Sequence, residues 1–470
     1  VEKYLKQGIN MKIIILAGGG GTRLFPLSRK CMPKQFLAID KDKSLLTETI
    51  ERFLGMVRAS DIIVVTNCDY IHHVRTELAN LNAEAVNVIL EPSSRNTAPA
   101  IGLAAAFCVD RLGCDESEML FVSPSDHIIR PVASFQNMVN KAAIFAAKDY
   151  FVTFGIKPIK PETGFGYIEA GEEFEGAYKT KSFKEKPDLE TARQYMRDGN
   201  FYWNSGMFAF SVGTYKRELG KYCPEIAEQL AKGYDAALAE FEVMPDISID
   251  YAVAEKCTLG VTLPLDLYWN DVGSWDAIYD ILTKDNDGNA VKGDCVALDC
   301  HDNLIWGQSR LIAGLGLKDT MIVETPDVIL VAKKGESQKV KDMVTVLQQR
   351  GRKEATEHTT IYFSWGWQSL LGGGNGYRMK KLVIHMNEGL SARMHYHRSV
   401  HWVVTRGTAE VCIGEKRLMV HDNESVYIPR TTKYSLHNPG HIPLVLIEVE
   451  NGDYLEDDDV VICDEDSVGM

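Results

Sequence analysis

The run Ile13-Ile14-Ile15-Leu16-Ala17-Gly18-Gly19-Gly20-Gly21-Thr22-Arg23-Leu24 decides how the amino-terminal half of this chain is read. Its apolar start predicts a strand buried on both faces, as in parallel sheets. The glycines that follow let the backbone approach a ligand closely and offer its N–H groups as a cradle. Arg23 adds a planar cationic fork suited to phosphate oxygens, and Lys34 follows directly after Pro33. The stretch reads as a phosphate cradle, with a ligand-free glycine turn as the competing reading. Two commoner cradles do not fit. No Lys-Ser or Lys-Thr pair closes the loop, as a P-loop requires. Arg23 also stands where a dinucleotide fingerprint needs a small residue to pack helix on strand.

Outward from this loop, strands and helices alternate. Residues 61–66, 85–90 and 119–122 read as further buried strands, and 44–54, 71–81 and the Ala-rich 97–109 as helices. That alternation predicts an α/β fold, with a mostly parallel sheet and helices on both faces. Ligands in such sheets collect at the carboxyl ends of strands. The glycine loop, the segment 91–97 and Ser123-Pro124-Ser125-Asp126-His127 all fall at such ends.

Each of these segments has two readings. Glu91-Pro92-Ser93-Ser94-Arg95-Asn96-Thr97 is a helix start capped by Asn96 or Thr97, a base-recognition loop, or both. Asp126 is a surface turn or a carboxylate that holds Mg²⁺ bridged to phosphate. Magnesium takes only one or two protein carboxylates, so a second acid is expected downstream. Asp271, between Trp269 and Trp275, offers one. In between, Gly164-Phe165-Gly166-Tyr167, Phe183-Lys184-Glu185-Lys186-Pro187 and Trp203-Asn204-Ser205-Gly206 interleave charge and amide with glycine and aromatic rings. Sugar recognition needs that mixture: paired donors and acceptors for hydroxyls, and aromatic faces for C–H surface.

At 470 residues the chain is long enough for two or three domains. A net charge of −14 argues against a nucleic-acid partner, which needs a basic face, but not against a nucleotide. The 10 cysteines include no Cys-x-x-Cys and read as reduced thiols. No signal peptide or bilayer-spanning run is visible, so the expectation is a cytoplasmic protein without a membrane partner. Residues 1–10 are polar and carry no assigned role. Residues 294–298, 303–306, 310–313, 321–324 and 328–332 read as short strands, followed by a helix over 337–350 and a charged linker over 351–360. Beyond it, 381–385, 403–405, 408–413, 425–428 and 444–449 predict a small antiparallel barrel.

Gly18–Leu24 with Pro33-Lys34-Gln35-Phe36, residues 91–98, Phe183–Pro187 and Trp269–Trp275 together resemble the mannose-1-phosphate guanylyltransferases. The match is to their long form, with a carboxy-terminal phosphomannose isomerase-like cupin, and runs from Met11 over nearly the whole chain. Phe25, Phe165 and Lys184 depart from the usual Trp, Tyr and Val without removing a charged group. The resemblance implies a Rossmann-like nucleotidyltransferase domain over 11–288, a β-rich domain over 289–350 and a cupin β-barrel over 361–470. It implies transfer of GMP from GTP to mannose 1-phosphate with release of pyrophosphate, giving GDP-mannose for polysaccharide biosynthesis. Arg23, Lys34, Asp126 and Asp271 would be the catalytic set, the two aspartates holding Mg²⁺. Gly18, Gly19, Gly21, Thr22, Glu91, Arg95, Asn96 and Thr97 would bind the nucleotide, and Gly166, Glu185, Lys186 and Asn204 the sugar phosphate. A homodimer is left open.

In the carboxy-terminal part, His395-Tyr396-His397 resembles the first cupin metal motif. On a continuous strand His395, His397 and His401 would share a face, making them candidate ligands for a divalent metal, with His437 as the other possible third. The departures count against catalysis there. Val400 stands where isomerases carry Glu and Tyr434 where they carry a ligating His, and the tail Ser467-Val468-Gly469-Met470 lacks their Tyr-Gly-Arg. A catalytic zinc normally takes three protein ligands. The expectation is a cupin without isomerase activity, serving stability or dimerisation; the alternative is a bifunctional enzyme that also isomerises mannose 6-phosphate.

Overall fold

Three consecutive isoleucines build the spine of the amino-terminal part. In β1 (Met11–Leu16), Ile13 and Ile15 enter one core with Val64, Phe121 and Phe135, while Ile14 enters another with Ile63, Val122 and Ile101. Burying each such side chain contributes roughly 1.5–3 kcal/mol, so the strand is held from both faces. The computed structural model describes residues 11–463, which divide into two compact units on either side of the Ala355–Thr356 bond. The segment 1–10 and the tail at 467–470 lie outside the described residues.

The first unit is organised on a nine-stranded sheet. Its strands are β1, β2 (Ile62–Asn67), β3 (Asn87–Glu91), β4 (Met119–Pro124), β6 (Phe151–Ile156), β7 (Tyr167–Phe174), β8 (Ala177–Lys184), β9 (Phe201–Ser211) and β10 (Gly260–Leu265). A separate ribbon pairs β5 (Ile128–Arg130) with β11 (Tyr268–Asn270). The order is β3-β2-β1-β4-β9-β6-β10-β8-β7. Strands β3, β2, β1 and β4 are parallel, as their sequence pattern predicts. Beyond β4 the sheet is mixed, because β9 runs against both β4 and β6. The turn between β7 and β8 forces reversal too: Glu175 and Gly176 both have positive φ (53° and 75°), the two-residue hairpin geometry. The helix Thr97–Leu112 begins under the Asn96 side chain, which accepts from the Thr97 N–H, and ends at Gly113 with φ 69°.

The β-rich stretch does not form a core of its own. Its four-stranded sheet contributes Leu304, Trp306, Met321 and Val323 to a core shared with Leu24, Phe25 and Leu27, just past the glycine loop. Trp275 Nε1 donates to the Phe25 carbonyl at 2.9 Å, and the fully buried Arg29 pairs with Asp327. The expected helix over 337–350 is a 3₁₀ turn, Ser337–Lys339, running into the α-helix Val340–Gln349.

The second unit is all antiparallel: a six-stranded and a five-stranded sheet enclose Leu382, Val400, Trp402, Val411, Leu436 and Leu446. The expected linker is shorter than 351–360. The turn Lys353–Ala355 buries Ala355 within the first unit, and the strand Thr360–Phe363 already belongs to the second.

Candidate active site

The carboxyl ends of β1, β3 and β4 open onto one cleft of about 540 Å³. Gly18 and Gly19, Glu91, Asn96 and Thr97, and Asp126 all line it. Gly18 is needed for space: a Cβ there would stand 2.7 Å from Glu91 Oε2. The exposed part of the loop is held from beneath by Gln35, whose Nε2 donates to the carbonyls of Ala17 (2.8 Å) and Gly19 (3.1 Å). Arg23 is exposed and is not among the residues that line this cleft.

Lys34 is the junction of the site. Its Nζ lies 2.8 Å from Asp126 Oδ2 and 2.5 Å from the Asp271 carbonyl oxygen. The β5–β11 ribbon explains why two residues so far apart in sequence meet. Ile128 pairs with Asn270, which brings Asp126 and Asp271 to the same end of the ribbon. Burial raises the Asp126 carboxyl, but the Lys34 ammonium outweighs it and holds the group below the ordinary carboxylate range. Burial pushes the adjacent His127 down to about 4, so it is neutral at physiological pH. Trp269 Nε1–H donates to His127 Nδ1 at 3.3 Å, which places the ring proton on Nε2, facing Asp126 Oδ1 at 3.6 Å. Arg52, buried beneath, donates to the His127 carbonyl at 3.0 Å and fixes this loop.

At the β3 end of the cleft, Glu91 is buried and among the described residues makes no ion pair, and burial pushes its carboxyl up to about 7. Ser94, Asn96 and Thr97 line the cleft, whereas Ser93 and Arg95 do not; their Oγ and Nε are buried without a hydrogen-bond partner among the described residues. Thr97 is partly used by the fold: its Oγ1 accepts from the Ile249 N–H at 2.8 Å, tying the helix start to the 246–250 segment. At the other end, a Cβ on Gly166 would collide with Glu185 Oε2, and the Gly166 carbonyl accepts from the Asn204 N–H at 2.8 Å. Lys186 pairs with Glu185 at 3.0 Å. The structure therefore gathers Lys34, Asp126 and Asp271 at one place and Gly166, Glu185, Lys186 and Asn204 at another. Sequence reasoning missed Gln35 as a loop support, Arg52, and Asp250. Gln35 sits inside the quoted Pro33–Phe36 stretch, but Arg52 and Asp250 lie in segments with no distinguishing pattern.

The histidines of the second unit do not come together. The strand Gly389–His395 ends before the strand Arg398–Arg406 begins, so the alternation expected across His395, His397 and His401 is broken by a turn. His395 points inward, where Arg398 Nε–H donates to its Nδ1 (3.1 Å) and its Nε2 lies 2.6 Å from Tyr434 Oη. With Nδ1 accepting, the proton sits on Nε2 and neither nitrogen has a lone pair to spare for a metal. Burial and the Arg398 charge push His395 down to about 4. His397 is exposed and bonds Asp459 at 2.7 Å, His401 faces outward, and His437 faces Glu410 at 3.9 Å. Among the described residues no group of three or more His, Cys, Asp or Glu is placed to hold a metal. Tyr434 is the physical reason, since its ring fills the inward position and its hydroxyl occupies the His395 nitrogen.

A glycine loop, a lysine bonded to the Asp126 carboxylate and the Asp271 carbonyl, and a cleft at the ends of parallel strands fit a nucleotidyltransferase. The profile of the Nucleotidyl transferase family matches residues 12–288, that of the MannoseP isomerase/GMP-like beta-helix domain 293–347, and that of the Mannose-6-phosphate isomerase C-terminal domain 350–465. The chain is 44% identical over 458 residues to the Xanthan biosynthesis protein XanB of Xanthomonas campestris, covering 95% of this chain and 97% of that one. It is 40% identical to a mannose-1-phosphate guanylyltransferase of Escherichia coli K12, covering 95% and 96%. A Thermus thermophilus structure described as a mannose-1-phosphate geranyltransferase superposes with a TM-score of 0.66 at 31% identity, over 72% of this chain and 99% of that one. This chain belongs to the mannose-1-phosphate guanylyltransferase family, in its long form with a carboxy-terminal isomerase-like domain. No helix among the described residues is long and apolar enough to cross a membrane.

Proposed function

We propose that the first unit transfers GMP from GTP to mannose 1-phosphate, forming GDP-mannose and releasing pyrophosphate. The observation that carries this reading is Lys34, bonded to the Asp126 carboxylate and the Asp271 carbonyl, with Asp126 lining the same cleft as the glycine loop and Glu91. A sugar phosphate oxygen attacks the α-phosphorus in line, and the bond to pyrophosphate breaks. The protein contributes position and charge rather than covalent chemistry. The glycine loop N–H groups and Arg23 hold the triphosphate, and Lys34 neutralises the oxygens that gain charge as the leaving group departs. Asp126 and Asp271 would hold Mg²⁺, which needs few protein carboxylates; the Lys34 ammonium already sits on the Asp126 carboxylate, while Asp271 meets it through its backbone carbonyl and keeps its own carboxylate on the Gly273 N–H. When bound there, Mg²⁺ would neutralise and align the phosphates. GTP or ATP paired with mannose or glucose 1-phosphate, with pyrophosphate release followed, tests the reading. Preference for any pair other than GTP and mannose 1-phosphate overturns the specificity.

Glu91 would read guanine by accepting from its N1–H and amino group. That role needs the carboxylate ionised, yet its burial favours the neutral form. The resulting pKa of about 7 lies above the ordinary 4.5, so the stabilising contribution is fully present below 4.5 and is lost as pH rises through 7. Glu91→Gln is expected to make the ligand-free protein more stable than the parent at pH 8, on the order of 2 kcal/mol, with no gain at pH 4. The same substitution is expected to raise the KM for GTP about 10- to 100-fold. Thermal unfolding at both pH values and initial rates check the two halves.

For the second unit, the occupied His395 argues against a zinc-dependent isomerase. Conversion of mannose 6-phosphate to fructose 6-phosphate is expected to stay at background with or without added Zn²⁺; turnover above background restores the bifunctional alternative.

A further inference from the structure

Asp250 belongs to no motif, yet it sits where the two halves of the cleft meet. It opens a single turn of π-helix, Asp250–Ala254, in which Glu255 N–H bonds back to the Asp250 carbonyl at 2.9 Å. Such turns recur at functional sites because the wider turn re-aims a side chain. The Asp250 side chain lines the cleft, and its Oδ1 accepts from Asn204 Nδ2 at 2.8 Å. Asn204 Oδ1 accepts from the Gly206 N–H at 3.1 Å. The amide is thereby fixed at both ends, and Asp250 decides which way it points. The segment before it is stitched to the nucleotide loop, since Ala98 N–H donates to the Ile247 carbonyl and Ile249 N–H to Thr97 Oγ1.

The charge balance says what this end of the cleft can hold. Asp250 and Asp246 line the cleft, the Glu185 carboxylate acts on Asp250 from beside it, and Glu255 accepts from the Glu185 N–H, against Lys186, which is already bonded to Glu185. A phosphate would be repelled here. A neutral polyhydroxylated ring, which offers O–H donors to carboxylates, would be welcome. We infer that Asp250 is a specificity-determining residue that accepts a hydrogen bond from a hexose hydroxyl while holding Asn204, so that the sugar ring lies at the Glu185–Asp250 end and its phosphate points toward Lys34. This rests on the guanylyltransferase reading above. The groups acting on Asp250 are Glu185 and Lys186 on their loop, Ser248 on its own segment, and Asn204 on β9. Burial and the Glu185 charge push Asp250 up to about 6, against the Ser248 hydrogen bond and Lys186, which leaves it largely ionised at neutral pH.

The test combines Asp250→Asn with deoxy analogues of mannose 1-phosphate. The variant is expected to raise the KM for mannose 1-phosphate about 10- to 100-fold while leaving the KM for GTP within about threefold. Among the 2-, 3-, 4- and 6-deoxy analogues, one is expected to bind the parent poorly but to lose that penalty in the variant, which identifies the bonded hydroxyl. A merely structural role would move the GTP KM and thermal stability as well, and would leave every deoxy penalty intact; either result overturns the proposal. If the parent enzyme itself releases no pyrophosphate from GTP and mannose 1-phosphate, the guanylyltransferase reading fails instead, and the two failures are distinct.

Discussion

Arg23→Ala is expected to lose two to three powers of ten in turnover while unfolding at the same temperature as the parent. The second half of that expectation is what makes the first informative. Arg23 is exposed, and among the described residues it makes no hydrogen bond or ion pair, so its removal costs the fold nothing. A guanidinium kept free at the end of a glycine loop has its geometric match in phosphate oxygens. Arg23→Lys keeps the charge but not the planar fork, and is expected to recover only part of the loss. Single-turnover rates with GTP in excess separate chemistry from binding. Near-parental turnover in Arg23→Ala removes this residue from the catalytic set, leaving Lys34 as the cation of the site.

The amino-terminal unit was legible because its signals are local and redundant. Three isoleucines need two cores, and the glycine loop needs a ligand or a reason; both lie within twelve residues of sequence. What could not be read was pairing at a distance. The alignment of Asp126 with Asp271 depends on a three-residue ribbon whose register has no signature, although the choice of both residues followed from the ligand appetite of Mg²⁺. Asp250 was invisible because its importance lies in the amide it orients. The cupin histidines misled for the opposite reason. Two-residue spacing implies a shared face only while a strand continues, and here the chain turns between His395 and Arg398. The substitution at Tyr434, which in sequence is only a missing ligand, acts in the structure as a hydrogen-bond partner that occupies the one histidine left inside.

Asp126→Asn is expected to lower turnover by about three powers of ten or more and to raise the Mg²⁺ concentration needed for half-maximal rate. The substitution is isosteric, and the backbone around it is held independently: Ser125 N–H bonds the Leu16 carbonyl at 3.1 Å, and Arg52 holds the His127 carbonyl. The loop therefore stays in place and only the charge is lost. Its stability signature runs opposite to that of Glu91. Lys34 holds Asp126 below the ordinary carboxylate range, so the group stabilises the fold at neutral pH and ceases to do so as acid protonates it. Asp126→Asn is thus expected to be less stable than the parent at pH 7, with the two converging in strong acid. Glu91→Gln should instead gain stability as the pH rises. Two carboxylates lining the same cleft are separated in this way by their neighbours alone: one has an ammonium at 2.8 Å, and the other has only burial. Unfolding curves for both variants from pH 3 to 8 test the contrast directly. Parallel rather than opposed pH dependences would mean that Lys34 does not neutralise Asp126, and that the cation site at this carboxylate is misassigned.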